Sequence, residues 1–214
     1  VGVYPFAPKD NVLWEETFGG GIAANGWTTE GTCAVGDSNI NAGWKFLPDG
    51  LLDKGAFIFA GAGISSPTLC DGAVGVDSDF LDNGGDGNNA GGGPCPAPGQ
   101  HILTSPVLNS SEWNVPGLSI TWTQAIRQYT SDYFFSYRTK DGDEVWSEWT
   151  DVVINTEFET NGDFISNDVQ RHFMPGAVGH DSLQIRFVYN ANYYMWGIDD
   201  VKIVETEANN MRIN

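Results

Sequence analysis

The feature that most constrains this chain is the run Leu183–Tyr189, followed closely by Met195–Val204. Leu183, Ile185, Phe187 and Tyr189 alternate with Gln184 and Arg186. A period of two sets one face of an extended strand against a core and leaves the other toward solvent. After a turn at residues 190–192 a second strand is expected, with Val201 and Ile203 on its apolar side, and Asp199 has the same parity. A carboxylate on the buried side of a strand is costly unless a cation or several donors meet it. The first strand repeats the anomaly: Val12, Trp14 and Phe18 share a face, and Glu16 lies with them.

The remaining pattern is also that of short strands. Leu118, Ile120 and Trp122 alternate with polar residues, as do Tyr133, Phe135 and Tyr137 in part. Asp141-Gly142 marks a tight hairpin whose returning arm carries Trp146, Trp149 and Val152–Ile154. Further strands are expected at 11–18, at two places within 22–50 and at 72–77. Residues 166–180 are read as holding one short helix. Twenty-seven glycines and ten prolines supply the turns, and 214 residues suit one large β-sandwich. The expected organisation is an N-terminal arm over 1–10, one domain over 11–204 and a polar linker to a further domain over 205–214. The stretch Asp82–Gly93 has no apolar side chain larger than Ala90, and is expected to be the most mobile internal segment.

Charge narrows the function classes. Twenty-eight Asp and Glu against ten Lys and Arg give a net charge of −18, which repels phosphate backbones and anionic lipid. Nucleic acid and membrane surfaces are therefore poor partners, while divalent cations and neutral glycans suit such a surface better. No apolar run approaches the roughly 20 residues of a membrane-spanning helix. The opening Val1-Gly-Val-Tyr-Pro5, without methionine, is read as a processed start. Of three cysteines, Cys70 and Cys95 are expected to pair across the glycine-rich loop, leaving Cys33 spare; three reduced thiols are the alternative.

Five short motifs then occur in order: Glu16-Thr-Phe-Gly-Gly20, Asn25-Gly-Trp-Thr28, Val76-Asp-Ser-Asp79, Ile102–Val107 and Trp196-Gly-Ile-Asp-Asp-Val201. In order and spacing the chain resembles the MAM-like jelly-roll domains of the cleaved-adhesin type, found on secreted surface proteins of Bacteroidetes-like bacteria. The resemblance spans about residues 11–204. It implies an all-β jelly-roll sandwich of two antiparallel sheets with long loops, on a secreted or cell-surface protein. It also implies a structural cation gathered by a first-strand carboxylate, a middle acidic loop and the Asp-Asp of the last strand. The corresponding residues here are Glu16, Asp77, Asp79, Asp199 and Asp200, and oxygen ligands from distant segments suit Ca²⁺. Glu16 and Asp199 are favoured by their strand parity, whereas Asp79 and Asp200 fit a turn cap or a solvated face equally well.

Other constellations are weaker. Read as an EF-hand from Asp82, the acidic loop has Gly84 and Gly93 where oxygen ligands are required. Gly36-Asp-Ser38 lacks the strand and the Gly-x-Ser-x-Gly elbow of a hydrolase, and His101, His172 and His180 have no metal spacing. Adjacent aromatics on a strand cannot all point inward, so Tyr129, Tyr133, Trp146, Trp149, Tyr193 and Tyr194 are candidates for glycan stacking. The expectation is a non-catalytic, calcium-stabilised adhesion or ligand-binding module, with a glycan or a surface protein as ligand and neighbouring domains as partners. A carbohydrate-binding accessory module of a secreted hydrolase is the alternative.

Overall fold

The computed structural model describes residues 10–34 and 43–206; all but the last residue of the N-terminal arm, the Gly36-Asp-Ser38 stretch and all but the first two residues of the linker lie outside them. The described residues form a β-sandwich of the jelly-roll kind, two six-stranded antiparallel sheets. In chain order the strands are β1 (Val12–Glu16), β2 (Thr28–Thr32), β3 (Lys45–Leu47) and β4 (Ala73–Asp77), followed by a short helix α1 (Ser78–Asn83). There follow β5 (Gly99–Thr104), β6 (Leu108–Asn109), β7 (Leu118–Arg127), β8 (Asp132–Lys140), β9 (Thr150–Ile154), β10 (Ile165–Phe173), β11 (Ser182–Ala191) and β12 (Met195–Glu205). The first sheet runs β10-β7-β12-β4-β3, with β1 also on β12. The second runs β2-β5-β11-β8-β9, with β6 also on β11.

The alternating strands behave as their period requires. Leu183, Ile185, Phe187 and Tyr189 of β11 are fully buried and meet Leu118, Ile120 and Trp122 of β7 in one core cluster. Aromatic rings dominate the layer between the sheets. Phe187 lies 5.2 Å from Trp122 and 5.8 Å from Trp196, and Trp196 lies 5.2 Å from Tyr133 and 5.1 Å from Trp44. Gln124, also fully buried, accepts a hydrogen bond from the Trp196 indole at 2.7 Å and donates to Asn155 and Asp168. An amide that serves both as donor and as acceptor lets the indole N–H be buried without loss.

β12 departs from simple alternation. Trp196 and Ile198 belong to the inter-sheet core, and so do Val201 and Ile203, one residue out of phase. The pairing with β7 shifts between Asp199 and Lys202, a bulge in which Asp200 takes φ +51°. One extra residue resets the phase of the strand. Asp199 therefore follows Met195 and Gly197 onto the outer face of the first sheet, not the inner face that its spacing from Val201 predicts. That outer face is covered by the segment between β3 and β4, where Leu52 packs with Met195 and with Leu47 and Ile58. Leu52 sits over two facing glycines, Gly75 and Gly197, where an added Cβ would come within 2.9 Å and 2.7 Å of its methyls.

Two further expectations are corrected. Residues 165–173 form β10, a strand paired to β7, and not a helix; its partner supplies the backbone bonds that its polar sequence does not advertise. The disulfide joins Cys33 to Cys95, not Cys70 to Cys95, and Cys70 is free and exposed. The cause is register: β2 pairs with β5, Thr32 opposite Gln100, so Cys33 emerges beside the loop that leads into β5. With residues 84–92 exposed, the stretch 82–93 wraps around a buried Asp82. Its carboxylate accepts from Ala97 N at 2.9 Å and Gly91 N at 3.3 Å, and Cys95 N donates to Leu81 O. Gly93 passes so close to α1 that a Cβ there would stand 2.3 Å from the Leu81 carbonyl.

Peptide mapping without reduction is expected to recover Cys33 linked to Cys95, while Cys70 alkylates in the native protein. With the cysteines 62 residues apart, removing the bridge is expected to cost about 4 kcal/mol by loop-closure entropy. A pH dependence follows from His101, which burial keeps neutral in the fold, its pKa lowered from 6.5 to about 4. The unfolded chain takes the proton more readily, so the contribution of His101 to stability is full above pH 6.5 and is lost as pH drops from 6.5 toward 4. The shift corresponds to about 3 kcal/mol. Asp77 and Asp199, raised by burial to about 6, act in the opposite sense over the same range, so the check is a difference: in urea titrations His101→Leu should gain stability relative to the unaltered chain as pH falls from 6.5 toward 4.

Candidate functional site

The five carboxylates expected to share one cation lie in three places. Glu16 is buried on the inner side of β1, as its parity predicts, but both of its oxygens are already occupied. They accept from Phe18 N at 2.6 Å, Asn25 Nδ2 at 2.9 Å and Trp27 Nε1 at 2.9 Å. Three N–H donors stabilise the anion without a metal. Asp77 caps α1, accepting from Phe80 N, while its second oxygen takes Lys54 N and Gly55 N. Asp79 takes Phe57 N and Asn83 Nδ2, each at 2.7 Å. These two aspartates fasten residues 54–57 to the helix, and burial raises both pKa values, that of Asp77 to about 6.

The third place is the bulge. Asp199 is fully buried and Asp200 nearly so. Here β12 changes neighbour, from β4 along Met195–Ile198 to β1 along Val201–Val204. Ser66 and Thr68 enter at the seam: both hydroxyls donate to Asp199, and Thr68 Oγ1 also lies 2.9 Å from Asp200 Oδ1. Burial raises the Asp199 pKa to about 6. Asp199 Oδ1 and Asp200 Oδ2 are buried with no hydrogen-bond donor. Among the described residues no three His, Cys, Asp or Glu side chains gather as a metal group. The seam offers two carboxylates and two hydroxyls, and Glu16 stands on the opposite face of the same sheet.

The aromatic candidates divide as well. Tyr133 is core, stacked on Tyr189 at 4.8 Å, and is no platform for a ligand. Tyr129, Tyr193 and Tyr194 are half-buried and gather at one end of the sandwich, where Tyr129 meets the other two edge-on at 5.5 and 6.0 Å. The β11–β12 turn is Asn192–Tyr194, two residues later than the sequence pattern places it. Tyr193 and Tyr194 both take positive φ, +123° and +62°, and Asn161 at +60° lies beside them. Bulky residues adopt such angles at a cost of roughly 1–3 kcal/mol each, sustained only where surroundings over-determine them. The restraints are present: Tyr189 Oη donates to Tyr193 O, Asp79 N donates to Tyr194 O, and Arg127 lies 4.0 Å over the Tyr194 ring. Tyr194 Oη reaches Asn161 Oδ1, and Asn192 Nδ2 reaches Thr130 Oγ1. Phe57, which the sequence did not suggest, is exposed beside this cluster, its carbonyl held by Arg127, and Phe59 is exposed two residues on. Both lie in the short apolar run Ala56–Ala60, whose composition gives no sign of exposure.

Trp146 and Trp149 stand elsewhere, on the outer face of the second sheet. Their rings are stacked with guanidinium groups, Arg138 lying 4.7 Å from Trp146 and 4.5 Å from Trp149. The histidines are each engaged structurally: His101 is buried, His172 stacks on Trp122 at 5.2 Å, and His180 pairs with Asp141.

No protein-family description and no curated protein matches the chain. Solved structures do. The chain is similar to the K1 cleaved adhesin domain of Lys-gingipain from Porphyromonas gingivalis, with 19% identity, TM-score 0.49, and coverage of 91% of this chain and 98% of that one. The K3 domain of the same protein gives 18% identity, TM-score 0.48 and coverage of 91% and 99%. The CBM22-1 xylan-binding domain from Paenibacillus barcinonensis gives 12% identity, TM-score 0.42 and coverage of 94% and 99%. Cleaved adhesin domains, which the sequence motifs resemble, are thus among the similar structures.

Proposed function

We propose that this chain is a non-catalytic ligand-binding module whose tyrosine end takes a neutral glycan. The observation that carries this reading is the pair Tyr193–Tyr194, two consecutive bulky residues held at positive φ where the sheet would accept an ordinary turn. Tyrosine faces stack on the apolar faces of sugar rings, and the amides of Asn161 and Asn192 with the hydroxyl of Thr130 supply the few polar groups that orient a ligand. A net charge of −18 disfavours anionic ligands at this end. The Cys33–Cys95 bridge suits an oxidising compartment, hence a secreted or surface location. Adhesion to a protein surface is the second reading, favoured by the exposed rings of Phe57 and Phe59.

Tyr193→Gly separates function from structure. Glycine relieves the backbone strain but loses the ring, and the two effects on stability roughly cancel. Calorimetric titration with a panel of neutral oligosaccharides is expected to show at least a tenfold loss for the variant, with the melting temperature held within a few degrees. A falling melting temperature with unchanged binding would mark the tyrosines as structural.

The same module carries, in our reading, a structural calcium at the Asp199–Asp200 seam. The residues fit such an ion: two buried carboxylate oxygens lack donors, and hard oxygen ligands from separate segments suit Ca²⁺. The ion would tie the bulge to the Ser66–Thr68 segment and offset repulsion between neighbouring anions. Metal-stripped protein is expected to melt several degrees higher with calcium than without. Asp199→Asn should abolish the response and Glu16→Gln should preserve it, which distinguishes the seam from a site that includes β1. Equal melting with and without calcium would remove the ion from the account.

A further inference from the structure

Apart from the tyrosine end, a second surface carries the opposite charge. Arg138, Lys140 and Arg186 are three of the ten basic residues, and they converge on the outer face of the second sheet. Arg186 lies 4.3 Å over Trp149, Arg138 lies between Trp149 and Trp146, and Lys140 stands 5.7 Å from Trp146. The result is a ladder of alternating planar cations and indoles, in which cation–π attraction orients each guanidinium.

The ladder is under-neutralised. In a chain with 28 acidic residues, Arg138 donates only to the Gln184 amide oxygen, through Nε at 3.0 Å and a terminal nitrogen at 2.6 Å. Among the described residues neither Arg138 nor Lys140 has a carboxylate within ion-pair distance, and Arg186 has only Asp151, at 3.3 Å. Beneath the ladder Ser136 and Arg186 stand opposite in register, with Ser136 fully buried. Two like charges side by side also oppose each other, so an incoming anion relieves a repulsion already present.

We propose that this ladder is a binding surface for acidic glycans, taking a uronic-acid carboxylate on Arg138 and Arg186 and the sugar ring against Trp146 and Trp149. With Arg138 Nε and Nη2 on Gln184 and Arg186 Nη2 on Asp151, the remaining terminal N–H groups of the two planar guanidiniums are left to grip a carboxylate in a geometry that an ammonium cannot offer. The flat ladder favours a saccharide over an acidic peptide, because a pyranose presents both the anion and an apolar face to stack. The ladder is a surface separate from the tyrosine end, which is assayed with neutral ligands.

The probe is a defined oligogalacturonate, titrated calorimetrically into the full chain, with its methyl ester as the uncharged control and poly-glutamate as the peptide control. The acid form is expected to bind at least tenfold more tightly than either control and to weaken as salt rises. Arg138→Gln should lose at least tenfold, and Arg138→Lys should recover only part, since it keeps charge but not the fork. If these variants do not fold, the ester comparison and salt dependence on the unaltered chain decide. Equal affinity for acid and ester, or no binding of the acid, overturns the proposal; equal affinity for poly-glutamate replaces the glycan with an unspecific anion site.

Discussion

The structure depends on the bulge at Asp199–Asp200. β12 is the central strand of the first sheet, and it must pair on one side with β7 throughout and on the other with β4 and then β1. A regular strand would have kept Val201 and Ile203 out of the layer that Trp196 and Ile198 enter. One extra residue lets both halves face the core. The same residue opens a gap where β4 stops and β1 begins, and two buried anions fill it against Ser66 and Thr68. Packing and polarity are therefore decided at one place.

The inter-sheet layer turns that geometry into a rigid platform. Phe187, Trp122 and Trp196 meet edge to face within about 6 Å, the arrangement that aromatic quadrupoles favour. Their indole N–H groups would be a liability in so dry a layer. Trp27 donates to Glu16, Trp196 to Gln124 and Trp44 to a carbonyl of β5. Buried polar side chains in this core serve the tryptophans first. Glu16, whose burial the pattern of β1 announces, belongs to this system through its three N–H donors.

The two candidate ligand surfaces inherit their character from the edges of this platform. At the tyrosine end, turns that close β7–β8 and β11–β12 are pulled together by Ser131, Tyr189 and α1, and the strain collects on Tyr193 and Tyr194. On the outer face of the second sheet, Arg138 and Arg186 are outward positions of adjacent strands, and the β8–β9 connection folds its tryptophans over them. The first surface is neutral and aromatic, the second cationic, on a chain that is otherwise acidic.

Local period determined the sandwich: β7, β8 and β11 are legible because alternation is a property of neighbours in the chain. So is the burial of Glu16, and so are the tyrosines of the β11–β12 turn as candidates. What tertiary structure decided are matters of phase and partnership. The parity of Asp199 fails because a bulge is invisible in composition and shifts every later residue by one. Cys95 takes Cys33 rather than Cys70 because β2 lies against β5, a neighbour relation no spacing encodes. Residues 165–173 are a strand because β7 offers them a ladder. The loop after α1 takes its course because Asp82 turns inward to accept from Gly91 and Ala97. Each depends on which segments meet, and the free energy that selects those meetings is released only when both sheets close on one another.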